Sequence, residues 1–402
     1  MMNKLAFALM LGCFTHNTIA EDSHRLIETH CTACHGLSNI QRSSGYTEED
    51  WGKLIDRMVL LPESVRNPIV AQLASHHAPN TFRAPILSEP NRHIDVEIFL
   101  TPSLGQRARD PVEGLNGEVW WVGQTGNQLG LLDSRSGEMT EYPLPSGTYP
   151  HSVTIDENGV PWFLGNRNGT IGYLDRETDQ FRVYELPREH ARDPHTGEFA
   201  ADGRFWFTLQ QSNLVSVFDP FTELFRFVEL PIPSSRPYGL KIHPNGTVYV
   251  ACNGSACLYE ISPNDLSVNV ITIPDGPMTV RRLDIDGNGD IWFVNSGQGL
   301  LGRYVPETGN ITQWPTPSGA DSHPYAITVY EDGIWFNESS RRPETLVRFD
   351  PKSETFESWI LESASVQSGL IRHMRATQSA IWAHQTSTGA LLKIQLTEAN
   401  ND

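Results

Sequence analysis

Two hydrophobic periodicities divide this chain. Between residues 47 and 77 apolar positions recur at helical spacing, and from about residue 93 they come as short runs broken by Gly, Pro, Asn and Asp. Trp51, Leu54, Ile55 and Met58 fall at i, i+3, i+4 and i+7, one apolar helix face. Thr47 precedes that face as an N-cap, with Asp50 at the third helical position in a weak capping box. A helix is also predicted from Ser23 to His30. A third is predicted to start at Asn67-Pro68, with Pro68 at its first position, and to run through Ile69, Val70 and Leu73 to His76-His77.

The second region is a repeat. Trp120, Trp162, Trp206, Tyr249, Trp292, Trp335 and Trp382 recur at intervals of 42, 44, 43, 43, 43 and 47 residues. A period in the forties matches four-stranded propeller blades. One unit reads as a strand at Pro150-His151-Ser152-Val153, a turn at Asp156-Glu157-Asn158-Gly159 and an aromatic strand at Pro161-Trp162-Phe163. Two further strands follow at Ile171–Asp175 and Phe181–Tyr184. Seven such units fit between about 109 and 400. Ile94 to Leu100 alternates like a lone strand and is expected to form the outer strand of the last blade, closing the ring. The fold class expected is mainly β, a seven-bladed β-propeller over 91–402, preceded by a small all-α domain over 21–90.

Residues 1–20 read as a secretory signal peptide: Lys4, an apolar run from Leu5 to Phe14, then Thr18-Ile19-Ala20. No later stretch is apolar enough to span a membrane, so an exported, periplasmic protein is expected. The formal charge of −18 argues against nucleic-acid binding, which needs a basic footprint. Of five cysteines, Cys13 lies in the leader. Cys252 and Cys257 form a disulfide if a hairpin brings them together, the alternative being two buried thiols.

The remaining pair carries the strongest chemical signal. Cys31-Thr32-Ala33-Cys34-His35 is a Cys-x-x-Cys-His segment, which reads as covalent attachment of one c-type haem with His35 ligating the iron. The alternatives, a redox dithiol or half a zinc site, fit less well, because a histidine follows directly and no second cysteine pair lies nearby. The surroundings resemble cytochrome c modules fused to periplasmic enzymes. That resemblance favours Met58 as the sixth iron ligand, with His76 or His77 as alternatives.

Gly289-Asp290-Ile291-Trp292-Phe293, Leu301-Gly302-Arg303-Tyr304 and Pro306-Glu307-Thr308-Gly309-Asn310-Ile311-Thr312-Gln313-Trp314 resemble the virginiamycin B lyase (streptogramin lyase) family, over about residues 93–398. The resemblance implies a magnesium-dependent elimination that opens a cyclic ester. It implies two histidines on adjacent blades, with an acidic residue two before the second. Here these are His151 and His195, each 11 residues before its tryptophan, with Asp193. His195 would act as base, oriented by Asp193, with His151 as partner. Asp stands where the family's enzyme has Glu. Equivalent positions elsewhere carry Tyr238, Arg281 and Tyr325, with His373 or Arg372 in the last blade. The segment Asp284-Ile285-Asp286-Gly287-Asn288-Gly289-Asp290 resembles the start of a calcium loop, but no closing glutamate follows, and it reads as a hairpin turn.

The haem motif decides the functional expectation: an exported c-type cytochrome that transfers electrons, its propeller binding a small-molecule substrate or a periplasmic redox partner. A lyase with an accessory haem is the first alternative. A haem-based sensor or interaction scaffold is the second.

Overall fold

The computed structural model describes residues 25–31, 47–76, 84–103, 106–187, 189, 193–274, 279–361, 370–386 and 389–397. The predicted signal peptide, Cys34, His35 and His77 lie outside these. The chain divides into two units, the second starting at Arg83. The expected boundary at residue 90 lies inside this second unit, because the segment before it already binds the blades. Ile86 N–H donates to Ser318 Oγ, Ser358 N–H to the Ser88 carbonyl, and Asn91 N–H to Glu357 Oε1.

In the described part of the first unit are three short helices: α1 over 25–31, α2 Glu48–Met58 and α3 Glu63–His76. The capping box forms as expected, with Asp50 N–H donating to Thr47 Oγ1 and Thr47 N–H to Asp50 Oδ2. Ile27, Trp51, Ile55, Ile69, Val70 and Leu73 make a small core, with Cys31 and Leu54 half-buried against it. The third helix starts at Glu63, before the expected Asn67-Pro68, and contains Pro68. Its first turn takes the Pro62 carbonyl as acceptor for both Val65 and Arg66 N–H. Arg66 then forks onto Asp56 of α2, at 2.5 and 2.7 Å. Gly52 makes room for it: a Cβ there would meet Arg66 Nη2 at 2.6 Å. Three short helices around one tryptophan do not by themselves define a cytochrome c fold.

The second unit is a closed ring of seven four-stranded antiparallel blades. The innermost strands are Ala108–Glu113, Ser152–Ile155, Pro194–Phe199, Pro237–Ile242, Val280–Ile285, Pro324–Tyr330 and Met374–Ala376, for blades 1 to 7. Each packs on the next, and the first packs on the last. His93–Leu100 pairs antiparallel with Ala390–Thr397, in register from His93↔Thr397 to Leu100↔Ala390. The lone N-terminal strand therefore closes the ring, as its alternation predicted. Among the described residues no helix is long and apolar enough to cross a membrane.

There is no single central core. Seven apolar clusters lie between successive blades, each built from both neighbours. The repeating aromatic residue sits on the second strand of each blade, at most 4% exposed. In two blades an aspartate pins both the turn and the indole. Asp286 accepts from Asn288 N–H, Asp290 N–H and Trp292 Nε1; Asp156 does the same for Asn158, Val160 and Trp162. The calcium-like segment is thus a hairpin turn whose carboxylate is already engaged. Cys252 and Cys257 are bonded, with Cα atoms 5.4 Å apart, across the turn between the second and third strands of blade 4.

Trp292→Ala should cost about 3–5 kcal/mol, the usual range for deleting a fully buried aromatic. Urea unfolding measures it, and a loss below about 1 kcal/mol would contradict the layered core described here.

Candidate functional site at the propeller axis

The register of the first two strands defines which residues share a level around the axis. The repeated aromatic of each second strand faces Val112, Thr154, Glu198, Lys241, Asp284, Thr328 and Arg375 in blades 1 to 7. Three residues earlier stand Arg109, His151, His195, Tyr238, Arg281, Tyr325 and Arg372. These seven form one ring of equivalent positions. The register settles the last blade on Arg372, with His373 one residue further on. The reason sequence spacing left this open is that the hairpins of blades 6 and 7 are one residue shorter.

In five blades the strand pairing slips by one residue here, between Arg109 and Val112, Pro194 and Gly197, Pro237 and Leu240, Val280 and Leu283, and Pro324 and Ile327. A bulge breaks strict alternation and re-aims side chains. Two consecutive residues then reach the axial cluster, as with Arg109 and Asp110, His195 and Thr196, and Arg281 and Arg282. Two residues before the ring, Arg107, Tyr149, Asp193, Arg236 and His323 all have positive φ, between 42° and 58°. Asp193 therefore occupies a left-handed turn position common to five blades.

His151 and His195 do come together. Their rings lie 3.6 Å apart between centroids, and His195 lies 3.9 Å from Tyr238. His151 is held on both nitrogens: Nδ1 donates to the His195 carbonyl at 3.0 Å, and Arg109 Nη1 donates to Nε2 at 2.9 Å. His195 Nδ1 lies 3.0 Å from Thr196 Oγ1, which also accepts from Arg282 Nη1 at 3.0 Å. The expectation that Asp193 orients His195 does not match this geometry. Asp193 instead accepts from Asn166 Nδ2 on the preceding blade, because the left-handed turn carries its carboxylate that way. Burial pushes its carboxyl up to about 6.

Packed with the histidines is a cluster in which sequence reasoning missed Asp110, Arg282 and His384. Asp110 is fully buried, and its Oδ2 lies 3.2 Å from His373 Nδ1. Its backbone N–H donates to His384 Nδ1. Burial opposes ionisation of Asp110, but His373, Arg282 and His151 outweigh it and hold the carboxyl well below its ordinary range. Burial also drives His151, His195 and His384 far below the usual histidine value, and His373 down to about 3. Arg109 falls to about 9 through burial and the nearby Arg107 and Arg372. Arg109 was open to the same eleven-residue count from Trp120. Arg282 and Asp110 were not, because they reach the site through bulges.

Among the described residues no three His, Cys, Asp or Glu side chains gather to hold a metal ion. Magnesium takes oxygen ligands, and the axis presents guanidinium and imidazole nitrogen instead. This donor set does not fit the magnesium ion that the sequence resemblance implied.

These features define a seven-bladed propeller with a polar site at its axis. A model of the virginiamycin B lyase family matches residues 93–259. No curated protein matched the chain by sequence. Among solved structures, virginiamycin B lyase from Staphylococcus aureus is 20% identical, covering 76% of this chain and 100% of that one, with a TM-score of 0.69. A catalytically inactive histidine-to-alanine form of that enzyme with quinupristin gives 20%, 76%, 100% and 0.67. The extracellular domain of a protein described as a one component system of Bacteroides thetaiotaomicron is 14% identical, covering 76% of this chain and 42% of that one, with a TM-score of 0.58. At these identities the likeness is one of fold.

The buried neutral histidines carry a pH signature. Unfolded they titrate near 6.5, whereas folded they stay neutral to much lower pH, so the unfolded chain binds more protons as pH falls below about 6.5. Stability should be fullest above that value and decline toward pH 5. Asp110 acts in the same direction at lower pH, and Glu344, raised by burial to about 7, acts in the opposite one. A thermal midpoint equal at pH 7 and pH 5 would contradict this, as would an unchanged pH slope in His384→Gln.

Proposed function

We propose that the protein is an exported c-type cytochrome in which one haem, attached through Cys31 and Cys34 and ligated by His35, transfers electrons. In this reading the propeller supplies a site for a small-molecule substrate or a periplasmic redox partner. The observation that carries it is the Cys31-Thr32-Ala33-Cys34-His35 segment. Two features support it. Cys31 ends α1 and is half-buried against the Trp51 core. The Cys252–Cys257 disulfide fits an oxidising compartment, the setting in which such motifs receive haem. Met58, at the end of α2, is the preferred sixth ligand; His76, exposed at the end of α3, or His77, outside the described residues, is the alternative. Bound there, haem would supply one-electron chemistry.

Protein matured in a periplasm with haem attachment should show a c-type reduced-minus-oxidised spectrum that survives denaturation. Cys34→Ala should lose covalent retention of the second vinyl, and Met58→Ala should lower the potential and open the iron to carbon monoxide. Absence of covalent haem in the wild type would overturn the reading.

A second reading is favoured by one observation, the His151–His195 pair at the propeller axis, within the residues 93–259 that match the virginiamycin B lyase family model. In it His195 takes the α-proton of a cyclic ester. The carbon–oxygen bond then breaks, leaving an alkene on one side and a carboxylate on the other. His195 suits the role better than His151, both of whose nitrogens are engaged. Quinupristin is the substrate to try. His195→Ala should abolish ring opening, and equal turnover by wild type and variant would dismiss this reading.

A further inference from the structure

We propose that the axial mouth of the propeller binds a multiply charged oxyanion, the carboxylate or phosphate group of a small ligand, on Arg281, Arg372, Arg109 and Arg282. This deepens the reading of the propeller as a substrate site and names the chemistry of that substrate.

The chain carries a formal charge of −18, yet its axis is cationic. Two levels of the axis differ in how their cations are satisfied. At the level facing the repeated aromatics, carboxylates balance the cations: Lys241 is ion-paired, and Arg375, hydrogen-bonded to Thr154, lies in the field of Asp110, Glu198 and Asp284. Lys241 Nζ lies 3.2 Å from Asp284 Oδ1 and 3.7 Å from Glu198 Oε2, and Thr328 Oγ1 donates to Asp284 Oδ2. Three residues earlier, at the ring level, the pairing stops. Among the described residues, none of Arg109, Arg281, Arg282 and Arg372 lies within ion-pair distance of a carboxylate. Arg109 and Arg282 are each 2% exposed, and Arg109 Nε and Arg282 Nη2 are buried without hydrogen-bond partners. Arg281 Nε and Arg372 Nε are likewise unmatched.

Burying a guanidinium without a counter-charge is costly, and several together repel one another. The buried carboxylates in their field, Asp110 and Glu344, are engaged elsewhere: Asp110 Oδ2 lies 3.2 Å from His373 Nδ1, and Glu344 Oε1 accepts from Asn337 Nδ2 and Ile371 N–H. The guanidiniums are instead laid over aromatic faces. Arg281 lies 4.5 Å from the Tyr325 ring, Arg372 lies 5.8 Å from the same ring, and Arg282 lies 5.1 Å from Tyr238. The hydroxyls of these two tyrosines meet at 2.5 Å. Part of each fork is engaged by neutral partners: Arg109 Nη1 by His151, Arg282 Nη1 and Nε by Thr196 Oγ1 and the Arg372 carbonyl, and Arg281 Nη2 by His323. Stacking fixes the planes of Arg281, Arg282 and Arg372, and the N–H groups left over are of the kind that recognise a planar or tetrahedral oxyanion. Arg281 and Arg372 are half-buried, so the outer part of the cluster remains open to a ligand. Burial raises the Tyr325 phenol, but Arg372, Arg281 and the hydrogen bond with Tyr238 outweigh it and lower it below its ordinary value.

The experiment is calorimetric titration of the full-length protein with citrate, succinate, inorganic phosphate and sulfate at low ionic strength, with the thermal midpoint as second readout. Saturable one-to-one binding that raises the midpoint is expected. Arg372→Gln and Arg281→Gln should each weaken it about ten-fold or more. Arg372→Lys keeps the charge but loses the fork, and should fall between. Arg182→Gln, an exposed change on the outer strand of blade 2, should leave affinity unchanged. Preference for citrate or succinate would identify an organic acid, and preference for phosphate a phosphoryl group. Lack of saturable binding by all four anions, or undiminished binding by folded Arg281→Gln and Arg372→Gln, would overturn the proposal. Because binding is read with or without haem, failure here leaves the haem reading intact, and absence of haem leaves this one intact.

Discussion

A ring of seven sheets must be closed by some pair of strands, and here that pair joins residues nearly three hundred positions apart. His93–Leu100 lies in full register against Ala390–Thr397. Without it, blade 7 would present an unpaired edge, and the apolar clusters that link it to blades 1 and 6 would lose their frame. Because the core is distributed between blades, every inter-blade layer depends on that closure. The axial site depends on it twice over, since Arg109 and Asp110 come from blade 1 while Arg372, His373 and His384 come from blade 7.

The closure sets a geometry that individual blades then modify. All seven inner strands converge, so one position per strand recurs around the axis. Bulges next to that position bring in a second residue, which turns a ring of seven into a cluster with buried charge. The exchange is visible in Asp193. Its sequence position invited a catalytic role, but the turn that feeds each inner strand needs a left-handed residue there, and the carboxylate is spent on Asn166. The repeated fold thus claims some positions for structure and leaves others, such as His195, available for chemistry.

The two units carry different kinds of information. The helical unit is short, and the haem proposed for it rests on one contiguous segment ending at His35. The propeller is large, and its chemistry is spread over seven strands. A contiguous motif signals a cofactor through covalent and coordination chemistry, whatever surrounds it. A dispersed site signals only through geometry, which explains why the same propeller fold hosts such different proteins among its structural neighbours.

Much of the architecture was legible in the chain itself. The aromatic period specified seven blades, the alternation of Ile94–Leu100 specified the closing strand, and Thr47 with Asp50 specified a helix start. These are local patterns whose physical cause acts within a few residues. The His151 and His195 pairing followed from equal spacing within repeats. What only the tertiary structure decided was everything that depends on a break in the period. The shorter hairpins of blades 6 and 7 placed Arg372 in the ring. The bulges brought Asp110 and Arg282 to the axis, and the segment from Ile86 to Asn91 joined the propeller instead of the helices. Arg66 reaching Asp56 over Gly52 belongs to the same class. Sequence records which residues are equivalent, but a bulge or a close approach is a compromise among neighbours distant in the chain, and it exists only once they are packed together.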